Sequence, residues 1–414
     1  MCRLRAFPMI AATLMCVVST VRGDDRPAVQ TGIDVLVAEN FKLLDGKSVG
    51  LVTNPTGVTA DLRSTVDVLH AAPNVKLVAL FGPEHGVRGD ISAGDKVEDG
   101  RDPVTGVPAY SLYGKNRRPN ADMLKGIDLL IYDIQDNGSR SYTYISTMAE
   151  VMAAGAEHGV PVVILDRPNP LTGNRLEGRP LDMKYKSFVG AFPIPYVYGL
   201  TCGELAQMIN AEGWLGEGLE CDLTVVKMRG WKRDMWFDDT GLPWVIASPH
   251  VPHADSSAFY AATGIMGELR VLSEGVGYTL PFELAGAPWI DAEALVADLN
   301  GRNLPGVRFR PLHFRPYYGP FEKQDCSGVQ IYLTERDRAQ LTAIQFHIMD
   351  AIRKLNPDHA LFGAKRDNMF DKVCGTEHMR EGFEQGKPIS EILDHWNEGV
   401  EEFKTRRAPY LLYE

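Results

Sequence analysis

Short apolar runs punctuate the first half of the chain, each closed by turn-forming residues. Residues 49–53, 75–80, 127–133, 160–166 and 223–227 form five such runs and read as strands. Between them the period changes. In residues 143–158, Ile145, Met148, Ala149 and Met152 share one helical face, and residues 62–70 carry the same spacing. Thr201 and Glu204 form a capping box that predicts a helix over about 203–212. Short strands alternating with helices predict βαβ units and a parallel sheet, so the fold class is α/β.

The pattern shifts near residue 250. Trp231, Trp236 and Trp244 crowd a loop-rich stretch ending in Ser248-Pro249-His250-Val251-Pro252-His253. Beyond it come a helix over about 291–300, a strand over 328–333 and a helix over about 339–355. This predicts domains over residues 32–250 and 251–414. Residues 1–23 have the layout of a signal peptide. Arg3 and Arg5 precede an apolar stretch over 6–19 that is too short to span a bilayer, and Val21-Arg22-Gly23 offers a cleavage site before Asp24. Met15 before Cys16 is wrong for a lipoprotein signal, so export without a lipid anchor is expected, to the periplasm or the medium. An uncleaved anchor is the alternative.

A net charge of −11 disfavours nucleic acid and anionic lipid as partners. Cys202, Cys221, Cys326 and Cys374 match no metal spacing; each is read equally as a buried thiol or half of a bridge. No dinucleotide glycine fingerprint, phosphate loop or Gly-x-Ser-x-Gly elbow is present, and no cofactor is expected. His250 and His253 invite a metal, but Pro249 and Pro252 deny them the helix that would aim both at one ion.

Three strand-end loops carry chemistry. The first, Phe81-Gly82-Pro83-Glu84-His85-Gly86-Val87-Arg88, sets a carboxylic acid at a strand's carboxyl end, where open α/β sheets bind ligands. Glu84, half shielded there, is the expected general acid, with His85 beside it. The second loop, residues 133–144, holds Asp133, Asp136, Asn137, Arg140, Tyr142 and Tyr144, a set suited to a polyhydroxylated ligand. The third, Asp166-Arg167-Pro168-Asn169-Pro170, offers Arg167 for a carboxylate or for an internal pair with Asp166.

These motifs occur in a familiar order. Asn54-Pro55-Thr56-Gly57, Pro83-Glu84-His85-Gly86, Asp133-Ile134-Gln135-Asp136 and Asp166-Arg167-Pro168-Asn169-Pro170 are followed by Tyr198-Gly199-Leu200-Thr201, Ser273-Glu274-Gly275 and Pro281-Phe282-Glu283. Gly286-Ala287-Pro288-Trp289 and Cys374-Gly375-Thr376 complete the set. The chain resembles the exo-β-N-acetylmuramidase (NamZ) family, glycoside hydrolase family 171, over about residues 32–414. The resemblance implies a Rossmann-like domain and a smaller α/β domain with the active site in the cleft between them. It implies removal of N-acetylmuramic acid from the non-reducing end of peptidoglycan fragments, with peptidoglycan-derived amino sugars as ligands. Glu84 falls on the family's catalytic glutamate.

The resulting candidates are Glu84, His85, Asp133 and Asp136 for catalysis. Asn54, Arg88, Arg140, Tyr142, Tyr144, Arg167, Asn169, His250 and Glu274 are candidates for binding substrate. Arg140 and Arg167 are expected to hold the lactyl carboxylate. Two departures fall in the substrate-facing half: His250 stands within Ala247-Ser248-Pro249-His250-Val251-Pro252, and Val276 replaces an arginine usual to the family. The rivals are a sugar-binding protein of the same fold without turnover, and a metal-dependent hydrolase.

Overall fold

The structure is a computed structural model and describes residues 29–89, 99–114, 116–363 and 366–414. The expected signal segment, residues 1–23, lies outside them.

The larger sheet has seven strands: β1 (Ser48–Thr53), β2 (Lys76–Gly82), β3 (Gly100–Arg101), β4 (Pro108–Ser111), β5 (Leu129–Asp133), β6 (Val162–Leu165) and β7 (Leu223–Val226). Their order is β3-β4-β2-β1-β5-β6-β7, parallel except for β3 against β4. Helices α1 (Gly32–Ala38) and α2 (Thr65–Ala71) belong to one apolar cluster with β1; α3 (Tyr144–His158) and α4 (Cys202–Ala211) belong to the opposite one. Burial on both faces explains why β1, β5 and β6 are almost wholly apolar. The strand order reverses between β1 and β5, so the crevice outside their carboxyl ends is the place such a sheet offers a ligand. The α4 capping box is present: Thr201 Oγ1 accepts from the Glu204 N–H at 3.2 Å, and the Glu204 carboxylate accepts from the Thr201 N–H at 3.1 Å.

The second sheet is antiparallel, in the order β8 (Leu284–Ala287), β10 (Cys326–Leu333), β9 (Val307–Phe314). Its core is shared with α5 (Ser256–Gly267), α6 (Ala292–Gly301) and α7 (Leu341–Leu355), and with Leu171, Tyr196 and Trp236 from the first half. Four short helices follow, α8 (Asp367–Cys374), α9 (His378–Glu384), α10 (Ile389–Trp396) and α11 (Val400–Arg407). The chain end then returns to the larger sheet. Phe403 is buried in the same apolar cluster as Leu200 and Met208, and the Tyr413 hydroxyl donates to Asp166 at 2.6 Å. The change near residue 250 therefore divides the two sheets, while the cores interlock. Cys202, Cys221, Cys326 and Cys374 are all buried free thiols, which resolves the choice left by the sequence.

Candidate active site

The site begins with the turn after β2. Gly82 permits it, because a Cβ there would come within 2.9 Å of the Val87 nitrogen. The Gly86 N–H closes the turn on the Pro83 carbonyl at 3.0 Å, with His85 at φ +73°. A non-glycine residue in the left-handed region costs about 1–3 kcal/mol and persists only where its surroundings enforce it. Glu84 stands half-buried at the apex and His85 is buried. The Tyr113 hydroxyl, just beyond β4, lies within hydrogen-bonding reach of Glu84. Burial raises its pKa, and the Glu84 charge raises it further. The same charge acts on Tyr144 and Tyr260.

The loop after β5 supplies the opposite wall. Tyr142 meets Tyr144 and Tyr260 edge-on, with ring centroids 4.9 and 5.6 Å apart. The Tyr144 hydroxyl donates to the Ala247 carbonyl at 2.6 Å. Ser141 Oγ bridges the hydroxyls of Tyr196 and Tyr260 at 2.9 and 3.0 Å. These contacts fasten Ala247 and Tyr260, on either side of the change near residue 250, to the loop after β5. His250 Nε2 is 2.5 Å from the Tyr318 hydroxyl, and burial and the nearby His85 lower its pKa.

Three buried polar groups here have an atom without a hydrogen-bond partner among the described residues. Asn54 Oδ1 accepts from the backbone N–H and hydroxyl of Thr56, while Nδ2, beside Tyr144, completes no hydrogen bond. Asp136 Oδ2 accepts from the Gly138 N–H at 2.8 Å and from the Tyr198 hydroxyl, while Oδ1 has no donor. Burial pushes the Asp136 pKa up to about 6 against the downward pull of Tyr198 and the backbone. The Tyr142 hydroxyl, near Ser248, is likewise unsatisfied. Buried polar atoms left open around an acid are where a ligand rich in hydroxyl and amide groups finds partners.

Several expected site residues are braces instead. Arg167 Nε and Nη2 bind the two oxygens of Asp133 at 2.6 and 2.9 Å, and Thr65 donates to the same carboxylate at 2.5 Å. Asp133 is fully buried, which places it beneath the site rather than against a substrate water. The internal pair anticipated for Arg167 exists, but with Asp133; Asp166 is held by Thr201, Gly203 and Tyr413. The fully buried Arg140 donates to the carbonyls of Arg179, Ile194, Val373 and Cys374, so its fork ties the two halves together. The hydrogen bonds of Arg140 and Arg167, the two residues expected to hold a carboxylate, run to protein atoms in this structure. Arg88 makes a bidentate pair with Asp102 and reaches Asp67. Asn169 accepts from the Leu171 N–H and donates to the Leu200 carbonyl. Glu274 is buried against Gly267 at the end of α5.

Tyr113, Tyr198, Tyr260, Tyr318 and Arg117 belong near the site without having been singled out as candidates. Tyr113 and Arg117 follow a half-buried four-residue strand too weak to announce a strand end. Arg117 lies over the Phe188 ring, 4.1 Å from its centroid, and its charge reaches Tyr113. It pairs with no carboxylate among the described residues.

Comparison with known proteins covers almost the whole chain. Residues 49–255 match the family described as exo-β-N-acetylmuramidase NamZ, N-terminal, and residues 258–413 its C-terminal counterpart. The chain is 47% identical over 388 residues to the peptidoglycan β-N-acetylmuramidase NamZ of Bacillus subtilis strain 168, covering 94% of this chain and 92% of that protein. A crystal structure of a DUF1343 family protein from Bacteroides fragilis NCTC 9343 superposes with a TM-score of 0.89 at 50% identity, covering 94% of this chain and 99% of the other. A second DUF1343 protein from the same organism gives 0.76 at 33% identity with the same coverage.

Proposed function

This chain belongs to the exo-β-N-acetylmuramidase NamZ family, and we propose that it releases β-linked N-acetylmuramic acid from the non-reducing end of peptidoglycan fragments. The observation carrying this reading is the placement of Glu84. It stands at the carboxyl end of a buried strand, in a turn with a left-handed His85, with the Tyr113 hydroxyl within hydrogen-bonding reach and its charge acting on Tyr144 and Tyr260. Glu84 donates its proton to the glycosidic oxygen as the bond to the anomeric carbon breaks. Asp136 in its charged form takes a proton from the water that supplies the new hydroxyl. Asn54 Nδ2 and the Tyr142 hydroxyl hold polar groups of the sugar. Arg117 faces the lactyl carboxylate, the group that separates muramic acid from glucosamine. We place the enzyme outside the cytoplasm, in cell-wall turnover, on the strength of Arg3, Arg5 and the apolar stretch that follows them.

The test is turnover by the purified protein of a chromogenic β-N-acetylmuramide beside the matching glucosaminide. General acid catalysis contributes about 10²- to 10⁴-fold, so Glu84→Gln is expected to lose at least two decades of kcat while remaining folded. Normal turnover by that variant would remove Glu84 from the chemistry. Binding of the muramide by wild type without turnover would make the protein a sugar-binding relative.

A further inference from the structure

Outside the pocket of Glu84, two loops carry a group of aromatic rings to the surface. Tyr317 is 65% exposed and Tyr318 48%, a high exposure for such large rings. Tyr278 stacks on Tyr317, with centroids 5.9 Å apart and planes 25° apart, and its other neighbour is Phe314 at 5.5 Å. The rings are held in place by backbone. The Tyr317 N–H donates to the Gly277 carbonyl at 2.7 Å, and the Tyr278 N–H to the Gly275 carbonyl at 2.9 Å. Gly277 sits at φ +91°, and a Cβ there would come within 2.1 Å of the Tyr318 carbonyl oxygen. Only glycine lets the two loops approach so closely.

One ring of this ledge reaches toward the Glu84 turn. The Tyr318 hydroxyl reaches His250 Nε2 at 2.5 Å, His250 neighbours His85, and His85 follows Glu84 in the same turn. An enzyme that removes a terminal sugar encloses that sugar, and the remaining glycan must lie on the leaving side of the cleaved bond. Exposed, pre-positioned tyrosine rings suit the apolar faces of sugar rings, and their two side-chain torsions are restrained before any ligand arrives.

We propose that Tyr317 and Tyr318, backed by Tyr278, form a leaving-side subsite that stacks the N-acetylhexosamine rings following the scissile bond. The inference rests on the glycosidase reading and adds to it a preference for longer glycans.

The experiment compares wild type, Tyr317→Ala and Tyr317→Phe on a muramyl-terminated disaccharide and the corresponding tetrasaccharide. Affinity for the tetrasaccharide is measured in parallel by calorimetry in a Glu84→Gln background. Aromatic stacking of ordinary strength corresponds to about three- to tenfold. Tyr317→Ala is expected to raise the tetrasaccharide KM and Kd by that factor with kcat nearly unchanged. The disaccharide should be affected less, and Tyr317→Phe should behave as wild type. If wild type cleaves both substrates and Tyr317→Ala leaves both KM values and the Kd unchanged, the subsite is refuted while the glycosidase reading stands. If wild type cleaves neither, that reading fails, and the Kd arm still decides whether Tyr317 holds sugar. Concentration-dependent self-association that disappears in Tyr317→Ala, with sugar affinity intact, would assign the rings to a contact between copies of the chain and overturn the proposal.

Discussion

Arg167 closes its fork on Asp133: Nε and Nη2 stand 2.6 and 2.9 Å from the two carboxylate oxygens, and both side chains are buried. Nη2 also donates to the Val58 carbonyl at 2.8 Å, so one guanidinium ties the ends of β1, β5 and β6 together. Removing one member of a buried pair strands the other charge and costs about 3–5 kcal/mol. Arg167→Ala is expected to lose stability of that order, read as a lower denaturation midpoint. Arg167→Gln paired with Asp133→Asn, which strands no charge, should recover much of it. A stable Arg167→Ala protein whose selectivity between muramide and glucosaminide had changed would return Arg167 to the substrate.

Under the proposed function selectivity falls to Arg117, which lies over Phe188 and whose charge reaches Tyr113. It lines a 230 Å³ cavity with Lys186, Ser187 and Trp214. A charge-assisted hydrogen bond is worth about 1.5–3 kcal/mol, or roughly 10- to 150-fold. Arg117→Ala is expected to lower kcat/KM for the muramide by a factor in that range and to leave the glucosaminide nearly unchanged. Equal losses on both substrates would show that Arg117 supports the loop rather than reads the carboxylate.

Much of the fold was legible because burial on both faces leaves β1, β5 and β6 nearly no choice but apolar residues. β3 was not, since its two exposed residues carry no pattern, and β4 is short and half-buried. The turn that carries Glu84 could be read from the strand and the Gly-Pro pair that precede it. The arginines could not. A guanidinium facing a sugar and one facing four backbone carbonyls look alike in sequence, and two of the Arg140 carbonyls belong to Val373 and Cys374, more than 200 residues away. Tyr260 was missed because α5 is apolar on nearly every side and lacks the amphipathic period that marks a surface helix.

Glu274 makes a pH-dependent contribution to stability. Burial pushes its carboxyl up to about 7, and Oε2 has no partner. Its folded pKa lies above the unfolded value, so the native state keeps a proton that the unfolded chain releases. The stability this gives is full below about pH 4.5 and is lost as pH rises through 7. The shift corresponds to ~3 kcal/mol as an upper figure. Glu274→Gln should flatten the fall in melting temperature between pH 5 and 8. Parallel curves for the two proteins would mean that Glu274 is ionised at no net cost.

Asp136 combines the same physics with the chemistry. Its Oδ2 is held by Gly138 and Tyr198, its Oδ1 has no donor, and burial raises its pKa to about 6. The native state therefore binds an extra proton between about pH 4 and pH 6, and stability falls as pH rises through that window. Above it the charged form costs the fold ~3 kcal/mol relative to an unshifted carboxyl. Asp136→Asn keeps the acceptor toward Gly138 and Tyr198 and removes the charge. It is expected to gain about 1–2 kcal/mol at pH 7.5, the remainder being offset by a buried amide with no partner. Near pH 4, where the wild-type carboxyl is neutral, it should be less stable than wild type by about 1–2 kcal/mol, because the cost of the amide does not depend on pH. The same variant is expected to lose at least two decades of kcat, because an amide cannot take a proton from water. Tyr198→Phe removes a hydrogen bond that favours the charged form. The Asp136 pKa should rise further, and the acidic limb of kcat/KM should move from near pH 6 to higher pH by about one unit. The decisive measurements are kcat/KM from pH 4.5 to 9 and denaturation midpoints at pH 4 and 7.5. An acidic limb that stays in place in Tyr198→Phe, or an Asp136→Asn protein that remains active, would leave Asp136 a structural carboxyl and send the search for the second catalytic group elsewhere.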